Sequence, residues 1–166
     1  MKRTAVTSAL ALQLLTLSSI MAGAQQVGHS GHSGHVILHP SELTWGDVPT
    51  LPGVKIAVLE GPLNEAVPIM FRLKFPAHYQ VPSHRHPAIE HITIISGTLN
   101  IGMGEVFDRS KTHALKPGSV AIMPPDTPHF VWTSEETIGQ VHSIGPWGVT
   151  YVNPADDPRK KTTAAK

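Results

Sequence analysis

The segment that decides the fold reads His84-Arg85-His86-Pro87-Ala88-Ile89-Glu90. In an extended strand, side chains two residues apart share a face, so His84 and His86 point to the same side. Pro87 must bend or end that strand, and Glu90 then opens a β-branched run over residues 90–95. The spacing therefore predicts one sheet face that presents two imidazoles and a carboxylate to a common point.

A third imidazole, that of His129, follows later in the chain within a turn bracketed by prolines. Imidazole suits Zn, Cu, Fe and Ni, and a carboxylate widens the choice toward Mn. We therefore predict that His84, His86, Glu90 and His129 bind one divalent transition metal, which the residues do not identify among Mn, Fe, Zn, Ni and Cu. The chain carries 11 histidines, so a chance His-x-His pair is the competing interpretation.

The spacing of these residues resembles the first motif of the cupin superfamily, G-x5-H-x-H-x3,4-E-x6-G. His84, His86, Glu90 and Gly97 fit this motif with the shorter gap, whereas His78 occupies the position of the leading glycine. The pair His84 and His86 alone would be weak evidence. Together with Glu90, Gly97 and a second segment, it favours a ligand set over a chance pair.

The second segment resembles the second cupin motif, G-x5-P-x-G-x2-H-x3-N. Gly118, Pro124 and His129 fit it, while Asp126 stands at a glycine position and Thr133 at the asparagine position. Aspartate tolerates left-handed backbone conformations, so Asp126 is a mild departure. The resemblance covers roughly residues 41–155. It implies a metal site but no single reaction, because the family includes oxygenases, isomerases, decarboxylases, storage proteins and sensors.

Between residues 36 and 152 the chain shows short β-rich runs separated by glycine and proline. Many short strands at regular spacing are typical of an all-β sandwich or barrel, and the resemblance selects the cupin jelly roll, a double-stranded β-helix barrel. No helical period of useful length appears after residue 24. The predicted strands cover residues 54–59, 69–75, 90–95, 98–102, 119–123, 130–133, 137–142 and 149–152.

The two ends of the chain differ from this domain in composition. Residues 1–24 combine the basic pair Lys2 and Arg3, a short apolar stretch and the small-residue site Ala22-Gly23-Ala24, which predicts a secretory signal and a secreted or periplasmic protein. A flexible His/Gly/Ser segment is predicted for 25–40, the cupin domain for 41–155 and a charged tail for 156–166.

Residues 28–35 repeat a Gly-His-Ser unit. This tract is flexible, and it is interpreted either as a soluble spacer, which we favour, or as a low-affinity scavenger of Cu, Ni or Zn. Removing Lys2 and Arg3 leaves 11 basic against 12 acidic residues. No basic stripe is present, so neither nucleic acid nor an anionic membrane is expected as a partner. The chain contains no cysteine, so packing must stabilise it, with metal as an added contribution.

Other residues near the predicted site are candidates for roles in a reaction. Gln140 and His142 share one face of their strand. Reasoning from side-chain volume, we expect this face to point inward, where Gln140 or His142 would handle protons beside the metal. The opposite orientation, with both side chains facing solvent, stays open. Glu90 could also act as a base. His78 is a candidate rim residue, although a surface loop position is favoured. Trp132 is expected on the outer face or at a subunit contact, which leaves a homodimer open.

The resemblance and the residues together predict an exported metal-binding cupin. We expect a metal-dependent enzyme of oxidoreductase or dioxygenase type acting on a small organic molecule, because open metal positions distinguish catalytic from structural sites. Phe71, Phe75, Ile92 and Val131 are expected to wall its pocket. A non-catalytic periplasmic protein that binds metal or a small ligand is the alternative. Isomerase or lyase chemistry stays open as well.

Overall fold

The computed structural model describes residues 35–161, so the predicted signal sequence and most of the histidine tract lie outside the described residues. These residues form eleven strands, one four-residue helix and three single-turn 3-10 helices. The strands are β1 (Gly46–Asp47), β2 (Lys55–Glu60), β3 (Pro68–Phe75), β4 (Gln80–Arg85), β5 (Glu90–Ser96), β6 (Leu99–Met103), β7 (Thr112–Leu115), β8 (Val120–Met123), β9 (His129–Thr133), β10 (Thr137–Ile144) and β11 (Thr150–Tyr151). Helix α1 spans Pro158–Lys161, and the 3-10 helices span Pro40–Glu42, Arg109–Lys111 and Pro154–Asp156.

The strands form two antiparallel sheets. The first contains six strands in the order β1-β2-β3-β10-β5-β8, and the second contains five in the order β11-β4-β9-β6-β7. Buried side chains from both sheets meet in one core. This arrangement confirms the predicted all-β jelly roll. Among the described residues, no helix has both the length and the apolar composition needed to cross a bilayer.

Strand β3 shows the alternation that the sequence predicts. Ile69, Phe71, Leu73 and Phe75 are buried, and the residues between them are only partly buried. Since successive side chains of a strand point to opposite faces, β3 presents one apolar face to the core and one polar face outward. Core residues from the facing sheet include Val81, Leu99, Ile101 and Val131.

The orientation predicted for β10 is wrong. Gly139 and Val141 are buried and lie opposite Leu73 and Phe71 of β3, whereas Gln140 is half-buried and His142 is exposed on the other face. The inward-facing residues of β10 can be small because side chains from neighbouring strands fill the core in front of them.

The contact at Gly139 gives the physical reason. A Cβ atom there would lie 2.9 Å from Cδ1 of Ile92 on the adjacent strand β5. The isoleucine fills the volume that the sequence argument assigned to β10.

Strand β4 turns His84 to the inner face by a local irregularity. Its register with β9 shifts between Val81 and His84, and both residues are buried. A bulge of this kind reverses which residues face inward and is common beside functional sites. Beyond the bulge, His84 lies directly opposite His129 of β9. The two motif histidines therefore become neighbours across the sheet.

The chain beyond residue 155 is partly packed against the domain. Asp157 is buried, at 7% exposure, and its carboxylate accepts hydrogen bonds from the side chain of Arg159. The guanidinium of Arg159 also donates to the carbonyl of Val149 at 3.2 Å. The predicted charged tail thus begins with a fixed segment.

Candidate metal centre

Three strand ends and one short loop position the predicted ligands. His84 lies near the end of β4, His129 begins β9 and Glu90 begins β5. His86 lies in the loop that joins β4 to β5. All four residues are between 2% and 6% exposed, so the cluster is shielded from solvent.

The side chains converge on one point. One ring nitrogen from each of His84, His86 and His129 lies within 4.8 Å of the others, a spacing that one metal ion could bridge. Oε2 of Glu90 lies 3.5 Å from Nε2 of His86 and 3.4 Å from Nε2 of His129. The structure therefore brings all four predicted ligands together, with Glu90 beside two of the three imidazoles.

Backbone carbonyls determine which ring nitrogen faces the cluster. Nδ1 of His84 lies 2.8 Å from the carbonyl of Pro82, and Nδ1 of His129 lies 3.0 Å from that of Thr127. A carbonyl oxygen can only accept, so each Nδ1 must carry the proton. Each neutral ring then leaves an unprotonated Nε2, the form that binds a metal.

His86 follows the same rule and is held on a second side. Its Nδ1 donates to the carbonyl of Gly148 at 2.7 Å. Its ring stacks on that of Trp147, with centroids 4.2 Å apart and an angle of 19° between the planes. Trp147 was not predicted as a site residue, and its position after a Gly-Pro turn gave no signal beyond the presence of an aromatic ring.

Burial shifts the pKa values of the cluster in two directions. Desolvation, together with the neighbouring His129 and His86, lowers the pKa of His84 well below its usual value. Desolvation likewise lowers the pKa of His129, and lowers that of His86 to about 4. Desolvation raises the pKa of Glu90 to about 8. Each shift disfavours charge on that residue.

The donor set fits a divalent cation. Among the described residues, Oε2 of Glu90 is buried and has no hydrogen-bond partner, although buried polar atoms are normally satisfied. It faces imidazoles whose Nε2 atoms carry lone pairs rather than protons. A cation at the common point would satisfy these acceptors together, and three imidazoles with one carboxylate are a ligand set for transition metals.

The cluster forms part of the wall of an internal cavity of about 260 Å³. Phe71, Phe75, Ile92 and Val131 line it, as the sequence predicts. Its remaining lining is mainly aliphatic, with Thr50 and Arg159 as the polar exceptions outside the ligand cluster. A concave apolar site with few polar groups is typical of small-molecule binding.

Gln140 and His142, predicted as proton-handling residues, do not line this cavity. Oε1 of Gln140 accepts a hydrogen bond from Nε of Arg72 at 2.9 Å, on the outer face of the sheet. His142 is exposed, and its Nε2 lies 3.4 Å from Nε2 of Gln140. Their predicted place beside the metal is therefore wrong, since they follow the outward parity of β10.

Two further predicted positions lie away from the cavity lining. His78 is exposed, with a left-handed φ of 59°, so it occupies a surface turn instead of the cavity wall. Trp132 faces outward, and the guanidinium of Arg109 lies 4.7 Å from its ring centroid. Like Trp147, Arg159 lines the cavity and was missed by sequence reasoning, because it lies in the segment predicted as a charged tail.

Comparison with known proteins agrees with this geometry. Residues 71–145 match the family model of the cupin domain. That range includes the four predicted ligands. No curated protein matches the chain.

Several solved structures share the fold. The polyketide cyclase RemF from Streptomyces resistomycificus is 18% identical with a TM-score of 0.63, and the match covers 78% of this chain and 94% of that one. KdgF from Halomonas sp. is 16% identical with a TM-score of 0.54, covering 68% and 96%. An RmlC-like cupin from Shewanella frigidimarina is 14% identical with a TM-score of 0.53, covering 68% and 93%. At these identities the likeness concerns the fold.

Proposed function

This chain belongs to the cupin superfamily, and we propose that it is a metal-dependent enzyme acting on a small, largely apolar organic molecule. One observation carries the proposal. A buried cluster of three imidazoles and an unpartnered carboxylate oxygen opens onto an apolar cavity of about 260 Å³. A purely structural metal site would have no need of an adjoining cavity.

His84, His86 and His129 would hold the ion through Nε2, with Glu90 as the fourth ligand. Four protein ligands on an ion that accepts five or six would leave room for a substrate. A bound transition ion would supply Lewis-acid polarisation of an oxygen-bearing substrate or a redox centre for oxygen-dependent chemistry. We favour the redox reaction type, as the sequence predicts.

Glu90 is the residue proposed to move a proton. Its Oε2 faces the cluster without a hydrogen-bond partner, and burial raises the pKa of the carboxyl to about 8. That pKa belongs to the metal-free site, where burial disfavours the charge. If Glu90 loosened its hold on a bound ion, its freed carboxylate would be placed to accept a proton from a substrate and return it. Glu90 is therefore assigned two roles, ligand and base.

The remaining cavity residues bind and orient the substrate. The rings of Phe71 and Trp147 meet edge to face, with centroids 5.2 Å apart, and both line the cavity. Trp147 also stacks on His86, so a substrate packed against the indole would lie next to a ligand ring. The apolar walls exclude water and so strengthen the electrostatic interactions at the ligand cluster.

A non-catalytic metal carrier is the second candidate, and the histidine tract at residues 28–35 favours it. A carrier would bind Cu or Ni in proportion to the tract histidines and would lose capacity when the tract is deleted. An enzyme would keep one tightly bound ion after the same deletion. Both candidates are compatible with export, which we propose on the basis of residues 1–24.

The test begins with metal analysis of untagged protein, followed by oxygen-uptake screening against phenols, diketones and organic acids. The proposal expects one tightly held ion and turnover of one of these classes that is abolished by Glu90→Gln. Turnover without oxygen consumption would assign isomerase or lyase chemistry. The carrier is favoured if the metal-loaded protein shows no turnover, either in oxygen uptake or in substrate-depletion assays, and if its metal-binding capacity depends on residues 28–35.

A further inference from the structure

We propose that Arg159 forms an anion-binding subsite of the cavity, and that the ligands are small organic monocarboxylates with an apolar body. The inference rests on the proposed function only in taking the cavity as the place where the substrate binds. It goes further by naming the substrate class and the residue that selects it.

The first support is where Arg159 lies. Arg159 lines the same cavity as His84, His86, His129 and Glu90, and it is the one lysine or arginine among the lining residues. Its side chain is 48% exposed, whereas the ligand cluster is buried. Arg159 therefore lies on the solvent side of a cavity whose metal cluster is shielded.

The second support is that the guanidinium is held in place. Its Nε donates to Oδ1 of Asp157 and its Nη2 to Oδ2, both at 2.8 Å, and Nη2 also donates to the carbonyl of Val149 at 3.2 Å. Within residues 35–161, Nη1 donates no hydrogen bond to the protein. An arginine fixed in this way keeps donors for a ligand without the entropy cost of ordering a free side chain.

The third support is a direct structural link to the ligand cluster. Consecutive carbonyls of one segment accept these bonds, that of Gly148 from His86 and that of Val149 from Arg159. This segment fixes the position of the guanidinium relative to the imidazole. A ligand that contacts both must have an anionic group at one end and a group that reaches the metal cluster at the other, with an apolar body between them.

The ion pair with Asp157 favours a monoanion over a more highly charged ligand. The carboxylate of Asp157 already neutralises one positive charge, and the rest of the wall outside the cluster is mainly apolar. A phosphate would bring more negative charge and a stronger hydration shell than the N–H groups of Nη1 could replace. A carboxylate needs fewer donors and can accept from the N–H groups of Nη1 that remain.

The test is calorimetric titration of the full chain with benzoate and, as a neutral isostere, benzamide, on both metal-loaded and chelator-treated protein. Wild type should bind benzoate about tenfold or more tightly than benzamide, as expected for a charge-assisted hydrogen bond. Arg159→Gln should lose that preference and leave the benzamide affinity unchanged. Arg159→Lys should give an intermediate preference, because lysine keeps the charge but not the planar group that Asp157 and the carbonyl of Val149 hold in place.

Arg109→Gln is the matched control, since Arg109 lies over Trp132 on the outer face of the five-stranded sheet and does not line the cavity. It should leave both affinities unchanged. Equal affinity for benzoate and benzamide in wild type, or an unaltered benzoate affinity in Arg159→Gln, would overturn the inference. If Arg159→Gln fails to fold by thermal melting, the comparison of Arg159→Lys with wild type decides.

The proposed function and the Arg159 subsite are tested by separate results. Absence of metal or of turnover would remove the enzyme proposal, yet a benzoate preference that depends on Arg159 in chelator-treated protein would still support the subsite. Conversely, turnover of a neutral substrate with unaltered kcat and KM in Arg159→Gln would keep the enzyme and remove the subsite.

Discussion

Oε2 of Glu90 lies 3.4 Å from Nε2 of His129, and among the described residues it has no hydrogen-bond partner. The Nδ1 proton of His129 is donated to a backbone carbonyl, so its Nε2 carries a lone pair when the ring is neutral. Two buried acceptors thus face each other with no donor between them. Only a proton or a cation relieves this contact, and the clustering of three such imidazoles favours the cation.

The first prediction is that the three histidines share one ion. Truncating His84, His86 or His129 to Ala should reduce bound metal well below one ion per chain, because three ligands rarely retain what four hold. Metal content after gel filtration, measured by mass spectrometry, checks this. His113→Ala is the control, since His113 is exposed on β7. Full metal content in any of the three truncation variants would exclude a shared site.

The second prediction concerns the stability that the ion contributes. A ligand that binds only the folded state stabilises it by about 2.7 kcal/mol when present at a hundredfold excess over its Kd. A chelator should therefore lower the melting temperature by several degrees at neutral pH. The same chelator should not change the melting of His84→Ala. An unaltered wild-type melting curve would contradict a tightly bound ion.

The third prediction is a pH dependence of the metal-free protein. The folded pKa of Glu90, about 8, is above its reference value of 4.5. Between pH 4.5 and pH 8 the folded state therefore binds more protons than the unfolded state. The free energy of unfolding decreases as the pH rises through this range. The histidines act oppositely: their folded pKa values are below 6.5, so stability is lost as pH falls below 6.5. Stability should therefore be greatest near pH 6.5.

A variant separates the two contributions. Glu90→Gln removes the buried charge, so the metal-free variant should keep its melting temperature from pH 6.5 to 8.5 while the metal-free wild type loses several degrees. Added metal should reverse the order at pH 8, because it favours the ionised carboxylate. Parallel decline of both metal-free proteins would show that Glu90 does not titrate in this range.

The ligand set and the fold could be predicted from the sequence because local rules determine them. The alternation in β3 gives its buried face, and the spacing of His84, His86 and Glu90 resembles a known motif. Asp126, which replaces a motif glycine, has a left-handed φ of 59°. Aspartate therefore adopts the backbone conformation that the motif glycine would adopt, and the turn before His129 is preserved.

The orientation of β10 could not be predicted, because it depends on residues distant in sequence. Gly139 faces inward because Ile92 of the adjacent strand occupies the space in front of it. The side-chain volumes of β10 alone do not show which residues of an adjacent strand fill the core in front of it. The position of Arg159 at the cavity was hidden for the same reason, since only the fold brings its segment to Val149.

The fourth prediction follows from the observed orientation. His142→Phe should leave metal content and turnover unchanged, because His142 is exposed on the outer face of β10. The effect on the free energy of unfolding should stay within about 0.5 kcal/mol, as for most surface substitutions. Metal analysis, steady-state kinetics and urea unfolding check this. Loss of turnover with intact metal would restore the proton-handling role that the sequence suggested.

The last prediction concerns the motif glycines Gly97 and Gly118, which both adopt a left-handed φ, of 72° and 86°. A Cβ at Gly118 would have nothing within 4 Å, whereas a Cβ at Gly97 would overlap the carbonyl of Glu136 and lie 2.8 Å from Cα of Thr137. Gly118→Ala should therefore cost about 1–2 kcal/mol, the penalty of the backbone conformation alone. Gly97→Ala should cost clearly more, because the β5–β6 turn must also move away from the start of β10. Urea unfolding of the two variants measures the difference, and equal losses would show that the backbone at Glu136 yields without cost.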